Sequence, residues 1–253
     1  MKKIFLVGLM IMAFSSFVFA APVNNVVSGE QKEEYGFKVT AEADFISERE
    51  LDFANENIDI EARFYEAKIS YTIMDGVVVY ALLGSISDTV ITEKEADNDI
   101  NKYFLDDGFA WGFGASALIR EFDNGIRIGI DGKYRAAEAD LTEIDINGTK
   151  YGLSSISDIT GDYEEWQFAL GIAKEFGEAV KFTPYGGVKY SDVEVQAKGT
   201  IAGTTYETAS INSKDTVGGY AGAEVAFNDN LSLYAEGRFV DETAVSTGLT
   251  WKF

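Results

Sequence analysis

Apolar and polar residues alternate along most of the chain after residue 34. In the first such segment, one face carries Tyr35, Phe37, Val39, Ala41, Ala43 and Phe45. The other face carries Gly36, Lys38, Thr40, Glu42 and Asp44. A period of two residues is typical of a β-strand whose two faces meet different environments.

The pattern predicts ten strands, in the segments 35–45, 65–73, 77–86, 108–119, 126–136, 165–173, 181–191, 216–227, 231–239 and 244–253. A tilted strand needs about 9–11 residues to cross a membrane, whereas strands of soluble sandwiches are most often about 5–6 residues long. The lengths of these segments therefore favour a membrane protein.

Short and long connections alternate between the predicted strands. Tight turns are expected at 74–76, 123–125, 177–179 and 228–230, with Asp-Gly in the first and Asn-Gly in the second. A further short connection is expected near Asp241-Glu242. Long polar loops are expected at about 46–59, 87–107, 138–163 and 192–214. The sequence thus predicts an all-β fold: a closed, antiparallel, up-and-down transmembrane β-barrel of about ten strands, with eight possible, short periplasmic turns and long acidic external loops.

The polar faces of the strands carry too many charges for the dry core of a soluble sandwich. In a barrel, the apolar faces contact lipid and the charged faces line the lumen. The predicted lumen charges are Lys38, Glu42, Arg127, Asp131, Lys133, Arg135, Glu224, Glu236 and Arg238.

The amino-terminal residues have the three parts of a secretory signal peptide. Lys2 and Lys3 precede an apolar run, and Val18-Phe19-Ala20 is a cleavage signal, so we expect residues 1–20 to be removed after Ala20. The apolar run is shorter than the roughly 20 residues of a spanning helix. Residues 21–33 are predicted to be a flexible lead and residues 34–253 to be the barrel, located in the outer membrane.

Composition excludes several functions. A net charge of −21 argues against nucleic acid as a partner. The chain has no Cys and no His, which removes disulfides, cysteine nucleophiles and histidine bases. We therefore predict a protein that is not an enzyme and has no cofactor.

The last strand ends in Trp251-Lys252-Phe253. A terminal Phe on such a strand resembles the assembly signal of bacterial outer-membrane proteins, and segments 108–115 and 183–190 resemble strands of the small OmpA/OmpX/Opa-type barrels. The resemblance implies two partners, the barrel assembly machinery, which would recognise Phe253, and outer-membrane lipid. It differs from the eight-stranded members by two further strands.

Two functions remain open. External loops could contact an external ligand or a cell-surface partner, or the lumen could form a narrow porin-like channel for ions or small solutes. The choice depends on whether the lumen is filled. Inward glycines either leave room for water or relieve crowding by large neighbours: Gly112, Gly114, Gly129, Gly171, Gly218 and Gly222. The acidic loop 87–107 also permits weak bridging by Ca²⁺ or Mg²⁺, although a solvated loop is the simpler interpretation.

Overall fold

The computed structural model describes residues 22–23, 36–53, 56–94, 100–152, 158–201, 204–207 and 210–253. The predicted signal peptide and its cleavage site lie outside these residues. Within the described ranges, no helix is long and apolar enough to cross a membrane.

Ten long strands of the described part form a closed ring. They are β1 (Phe37–Phe53), β2 (Glu56–Met74), β3 (Val77–Lys94), β5 (Gly108–Glu121), β6 (Ile126–Ile146), β8 (Asp158–Lys174), β9 (Lys181–Ile201), β12 (Val217–Ala226), β13 (Leu231–Phe239) and β14 (Thr243–Lys252). Each pairs antiparallel with the next, and β14 pairs with β1 in a register that sets Ala43 opposite Thr247. The prediction of a closed antiparallel barrel is confirmed, with ten ring strands rather than eight.

The ring strands at one end of the barrel are longer than the sequence pattern predicted. The segments expected to be long loops are mostly continued strands, so that β6 and β8 remain paired as far as Asp140 and Thr160. Four short strands extend these hairpins further: β4 (Ile100–Leu105), β7 (Thr149–Gly152), β10 (Thr204–Glu207) and β11 (Ile211–Ser213). Polar outward residues are compatible with a strand that stands in water, because the backbone ladder satisfies its main-chain polar groups. The inward faces near the ring still carry buried apolar residues such as Leu51 and Val193.

The opposite end is closed by short connections at 75–76, 122–125, 175–180 and 227–230. Gly76 and Gly125 have φ of 78° and 79°, a backbone conformation that glycine adopts without steric cost. We call this the turn end and the end with the extended hairpins the loop end.

The outer surface of the ring is apolar. Along β8, Trp166, Phe168, Leu170 and Ile172 are exposed, whereas Glu165 and Gln167 are completely buried. Aromatic rings on neighbouring strands pack together, with 4.7 Å between the ring centroids of Tyr134 and Trp166. This is the inverse of a soluble fold and matches a lipid-facing surface.

A β-bulge in β1 changes which residues face inward. The pairing of β1 with β2 shifts between Ile46 and Arg49, since one residue of β1 is left without a partner there. On the turn-end side of the bulge, even-numbered residues such as Asp44 are buried. On its loop-end side, the odd-numbered residues Arg49 and Leu51 are buried instead. The bulge therefore brings an arginine from the predicted loop 46–59 into the lumen.

Candidate functional site in the barrel interior

The interior is filled in three layers. Nearest the loop end is an apolar cap, whose buried members are Ile46, Leu51, Ile58, Ile60, Ala62, Phe64, Ile86, Ala110, Ala137, Ala139, Tyr163, Val193, Val195 and Ala244. A network of ion pairs follows, which we call the charge network. Towards the turn end lie tyrosines and Pro22 and Val23 of the amino-terminal segment.

Arg135 on β6 is the centre of the charge network. Its guanidinium lies 3.0 Å from the Asp44 carboxylate, 2.9 Å from that of Glu165 and 3.4 Å from that of Glu66. The same guanidinium lies over the ring of Phe64, at 3.6 Å from the centroid. Arg135 thus joins four strands and also packs against the apolar cap.

Arg49 is a second centre. It donates to Glu242 at 2.8 Å and contacts Glu165 at 3.5 Å, and it donates to the Ser191 main-chain carbonyl at 2.8 Å. Lys189 pairs with Glu242 and with Asp241, the latter at 2.7 Å. The network therefore crosses the lumen from β1 to β9 and to the turn that joins β13 to β14.

Arg238 on β13 links the network to the turn-end half. Its guanidinium lies 2.7 Å from Asp44 and 3.3 Å from Glu236. Glu236 in turn accepts a hydrogen bond of 2.8 Å from the main-chain N–H of Val23. Lys133 donates to the main-chain carbonyl of Pro22.

The turn between β13 and β14 has an unusual backbone conformation, which places its acidic residues inside the barrel. Val240 has φ of 90°, in a region that a β-branched residue rarely adopts, and its side chain is exposed. The next two residues, Asp241 and Glu242, are buried against Lys189 and Arg49. We interpret the strained Val240 as the structural cost of directing two carboxylates inward.

The structure buries seven of the nine predicted lumen charges: Glu42, Arg127, Asp131, Lys133, Arg135, Glu236 and Arg238. Lys38 and Glu224 are half-buried on the same faces of their strands. Seven further members of the charge network were outside the predicted set: Asp44, Arg49, Glu66, Glu165, Lys189, and Asp241 and Glu242 at the short turn. Four of these residues lie at inward positions of the alternating pattern, which could therefore have identified them: Asp44, Glu66, Glu165 and Lys189.

The inward glycines accommodate large side chains. A Cβ at Gly114 would lie 2.5 Å from the ring of Tyr80, and one at Gly222 would lie 2.6 Å from the ring of Tyr185. Tyr80 fills its space while donating to Asp131 at 2.8 Å. Of the two interpretations of these glycines, relief of crowding is the one that the packing supports at these positions.

Outside the barrel wall, the loop end carries paired charges. Carboxylate oxygens of Glu48, Glu50 and Asp59 lie within 4.8 Å of one another. Lys94 binds Asp59 at 2.6 Å, and this hydrogen bond raises the pKa of Lys94; Lys214 binds Glu50 at 2.5 Å. Lysines already neutralise two of the three acids. Residues 95–99 of the acidic loop lie outside the described part of the chain.

Comparisons with known proteins give distant likenesses. No protein-family model matches the sequence, and the search of curated proteins found no match. Among solved structures, the outer membrane protease OmpT from Escherichia coli is 10% identical, with a TM-score of 0.49, over 87% of this chain and 99% of that one. The translocator domain of the autotransporter NalP from Neisseria meningitidis is 11% identical, with a TM-score of 0.49, over 99% and 96%. An outer membrane channel from Pseudomonas putida F1 is 9% identical, with a TM-score of 0.40, over 90% and 100%.

The closed ring, the apolar exterior and the charged interior define the class of the protein. It is a membrane-spanning antiparallel β-barrel with a ring of ten strands.

Proposed function

We propose that the chain is a non-enzymatic outer-membrane barrel with a closed lumen, whose role is structural or depends on surface contacts made by its loop-end hairpins. The proposal rests on the filled interior, in which the apolar cap and the charge network lie one after the other along the barrel axis. Ten strands give a narrow lumen, because eight-stranded barrels are filled by side chains and only much larger ones leave wide channels.

The hairpins support a surface role. An even number of ring strands places both termini on the same side of the membrane. With that side in the periplasm, as is usual for outer-membrane barrels, the turn end faces the periplasm and the hairpins project outwards. Rows of backbone groups and acidic side chains on these hairpins offer a contact surface that favours a basic external ligand or cell-surface partner. The absence of histidine from the sequence leaves no imidazole base for a hydrolytic site.

Single-channel recording tests the closed lumen. The purified barrel, refolded into a planar lipid bilayer, should give no discrete conductance steps across a range of salt concentrations. Insertion is verified separately by protease protection and by the shift of the folded band in unheated gels. Reproducible steps would contradict the closed lumen.

A shortened hairpin tests the surface role. Joining Asp140 to Thr160 through an Asn-Gly turn removes the outer part of the β6–β8 hairpin at a point where these two residues are paired. We expect unchanged folding and reduced adherence of producing cells to surfaces that the unaltered chain binds. Unchanged adherence would argue against this hairpin as the contact.

A narrow channel is the second candidate, and buried polar groups favour it. The amide of Gln167 and the hydroxyls of Tyr220 and Ser246 are buried without a hydrogen-bond partner among the described residues. Buried polar groups of this kind are commonly hydrogen-bonded to internal water. A chain of such waters would give small conductance steps, so the same recording decides between the two functions.

A further inference from the structure

Pro22 and Val23 lie buried inside the barrel. Val23 is 1% exposed. Its side chain packs among Ala169, Ala173, Tyr185 and Tyr220, which belong to β8, β9 and β12. A valine of an amino-terminal segment is thus as buried as any core residue.

Two main-chain hydrogen bonds hold this segment. Lys133 donates to the carbonyl of Pro22, and the N–H of Val23 donates to Glu236 at 2.8 Å. Lys133 and Glu236 are themselves buried, on β6 and β13. Because the two anchors are charged side chains and the groups they bind are main-chain atoms, the contact is of the kind by which proteins bind extended peptides.

The chain is long enough to reach this position from the first strand. Residues 24–35 lie outside the described residues, and a segment of that length can extend up to about 40 Å. β1 begins at the turn end, with the carbonyl of Gly36 bonded to the N–H of Thr72. The start of β1 and the pair Pro22 and Val23 therefore lie in the same, turn-end half of the barrel.

We propose that the turn-end half of the lumen is a binding site for the amino-terminal segment of the same chain, with Lys133 and Glu236 as its two anchors and the pocket of alanines and tyrosines as its receptor for Val23. Pro22 and Val23 fill part of the turn-end half of the lumen. If the signal peptide is removed after Ala20, this internal ligand is the very start of the mature protein.

The cysteine-free sequence allows a direct test by site-specific labelling. The reporter is Val23→Cys, which keeps the N–H that bonds Glu236, in the mature chain refolded in detergent. The exposed turn residue Asn124, as Asn124→Cys, supplies the reference rate. We expect a small maleimide to react at position 23 at least ten times more slowly than at position 124, and equally fast at both in urea. Equal rates in the folded barrel would overturn the proposal.

The anchors are tested in the same reporter chain. Adding Lys133→Met should raise the labelling rate at position 23 several-fold, whereas Lys94→Met, which removes the pair of Lys94 with Asp59 at the loop end, should leave it unchanged. An equal effect of the two substitutions would mean that Lys133 is no specific anchor.

A second reporter is used if the Lys133→Met variant does not fold. Ala173 lies beneath Val23, so that Ala173→Cys should be protected while the segment is bound. Val23→Pro removes the donor to Glu236, and it also fixes φ at position 23, so it should expose Cys at 173. Val23→Ala keeps the N–H and should expose it less. Protection that is unaffected by Val23→Pro would overturn the role of Glu236. These rates do not depend on ion conduction, so they are independent of the proposed closed lumen.

Discussion

Replacing Arg135 by Met should cost the barrel about 3–5 kcal/mol of unfolding free energy. Arg135 is completely buried and is the counter-ion of Asp44, Glu66 and Glu165 at 2.9–3.4 Å. In a closed lumen, the substitution leaves Glu66 without its ion-pair partner and without water, while Asp44 keeps Arg238 and Glu165 keeps Arg49. Removing one partner of a buried ion pair typically costs about 3–5 kcal/mol. The neutral methionine also loses the contact of the guanidinium with the ring of Phe64.

The matched control is Arg63→Met. Arg63 pairs with Asp88 at 2.5 Å, but both side chains are at least half exposed, and exposed pairs contribute about 0–1 kcal/mol. Unfolding by urea in phospholipid vesicles can be followed by tryptophan fluorescence, because Trp111, Trp166 and Trp251 all lie on the lipid-facing surface. The difference between the two variants should be about 3 kcal/mol.

A compensated variant sharpens the result. Adding Glu66→Gln to Arg135→Met removes the carboxylate that has lost its cation and should recover about 1–2 kcal/mol, since neutralised buried pairs are tolerated far better than broken ones. If Arg135→Met costs no more than Arg63→Met, water must already solvate the charge network, and the reasoning that led to a closed lumen is refuted.

Two further predictions concern single residues. Val240→Gly should raise the unfolding free energy by about 1 kcal/mol, because glycine adopts φ of 90° without the strain of a β-branched residue. Urea unfolding measures this free energy, and a loss of stability would show that Val240 is unstrained. Phe253→Ser should lower the amount of folded barrel in cells several-fold, yet change the unfolding free energy of the refolded protein by no more than about 0.5 kcal/mol, because Phe253 is 76% exposed and its ring packs against Phe37 at the rim. Equal losses in both assays would assign Phe253 a structural role and not that of an assembly signal.

The sequence predicted the membrane-spanning core of the fold well, because that core follows one rule. Where one face meets lipid and the other meets the lumen, residues alternate as they do on β8 from Glu165 to Ile172. The tight turns were visible for an equally local reason, since Gly76 and Gly125 supply positive φ. The outer halves of the hairpins were predicted as loops because their pattern is inverted there: apolar residues such as Val193 and Val195 are buried inside, and polar residues such as Glu194 face outward.

The charge network was predicted only in part, for reasons of geometry. Arg49 lies beyond a bulge that reverses the inward phase of β1, and alternation alone cannot place a bulge. Asp241 and Glu242 occupy a turn, where no period applies. The contacts of Pro22 and Val23 join residues more than 100 positions apart, and no local pattern encodes them. The apolar cap inside the loop end was likewise hidden, because its alanines and isoleucines also suit the lipid-facing surface.

The pairing of β14 with β1 has a kinetic consequence. It sets Ala43 opposite Thr247, so the two strands that complete the ring are among the most distant in sequence. Until β14 arrives, β1 presents a free edge with unsatisfied backbone groups, which is the usual template for pairing with another molecule. Contacts of such long range also form slowly, because the loop that they close is costly in entropy. The slow step in making this protein is therefore expected to be the meeting of its first and last strands, and the period before that meeting is when the chain is most prone to aggregate.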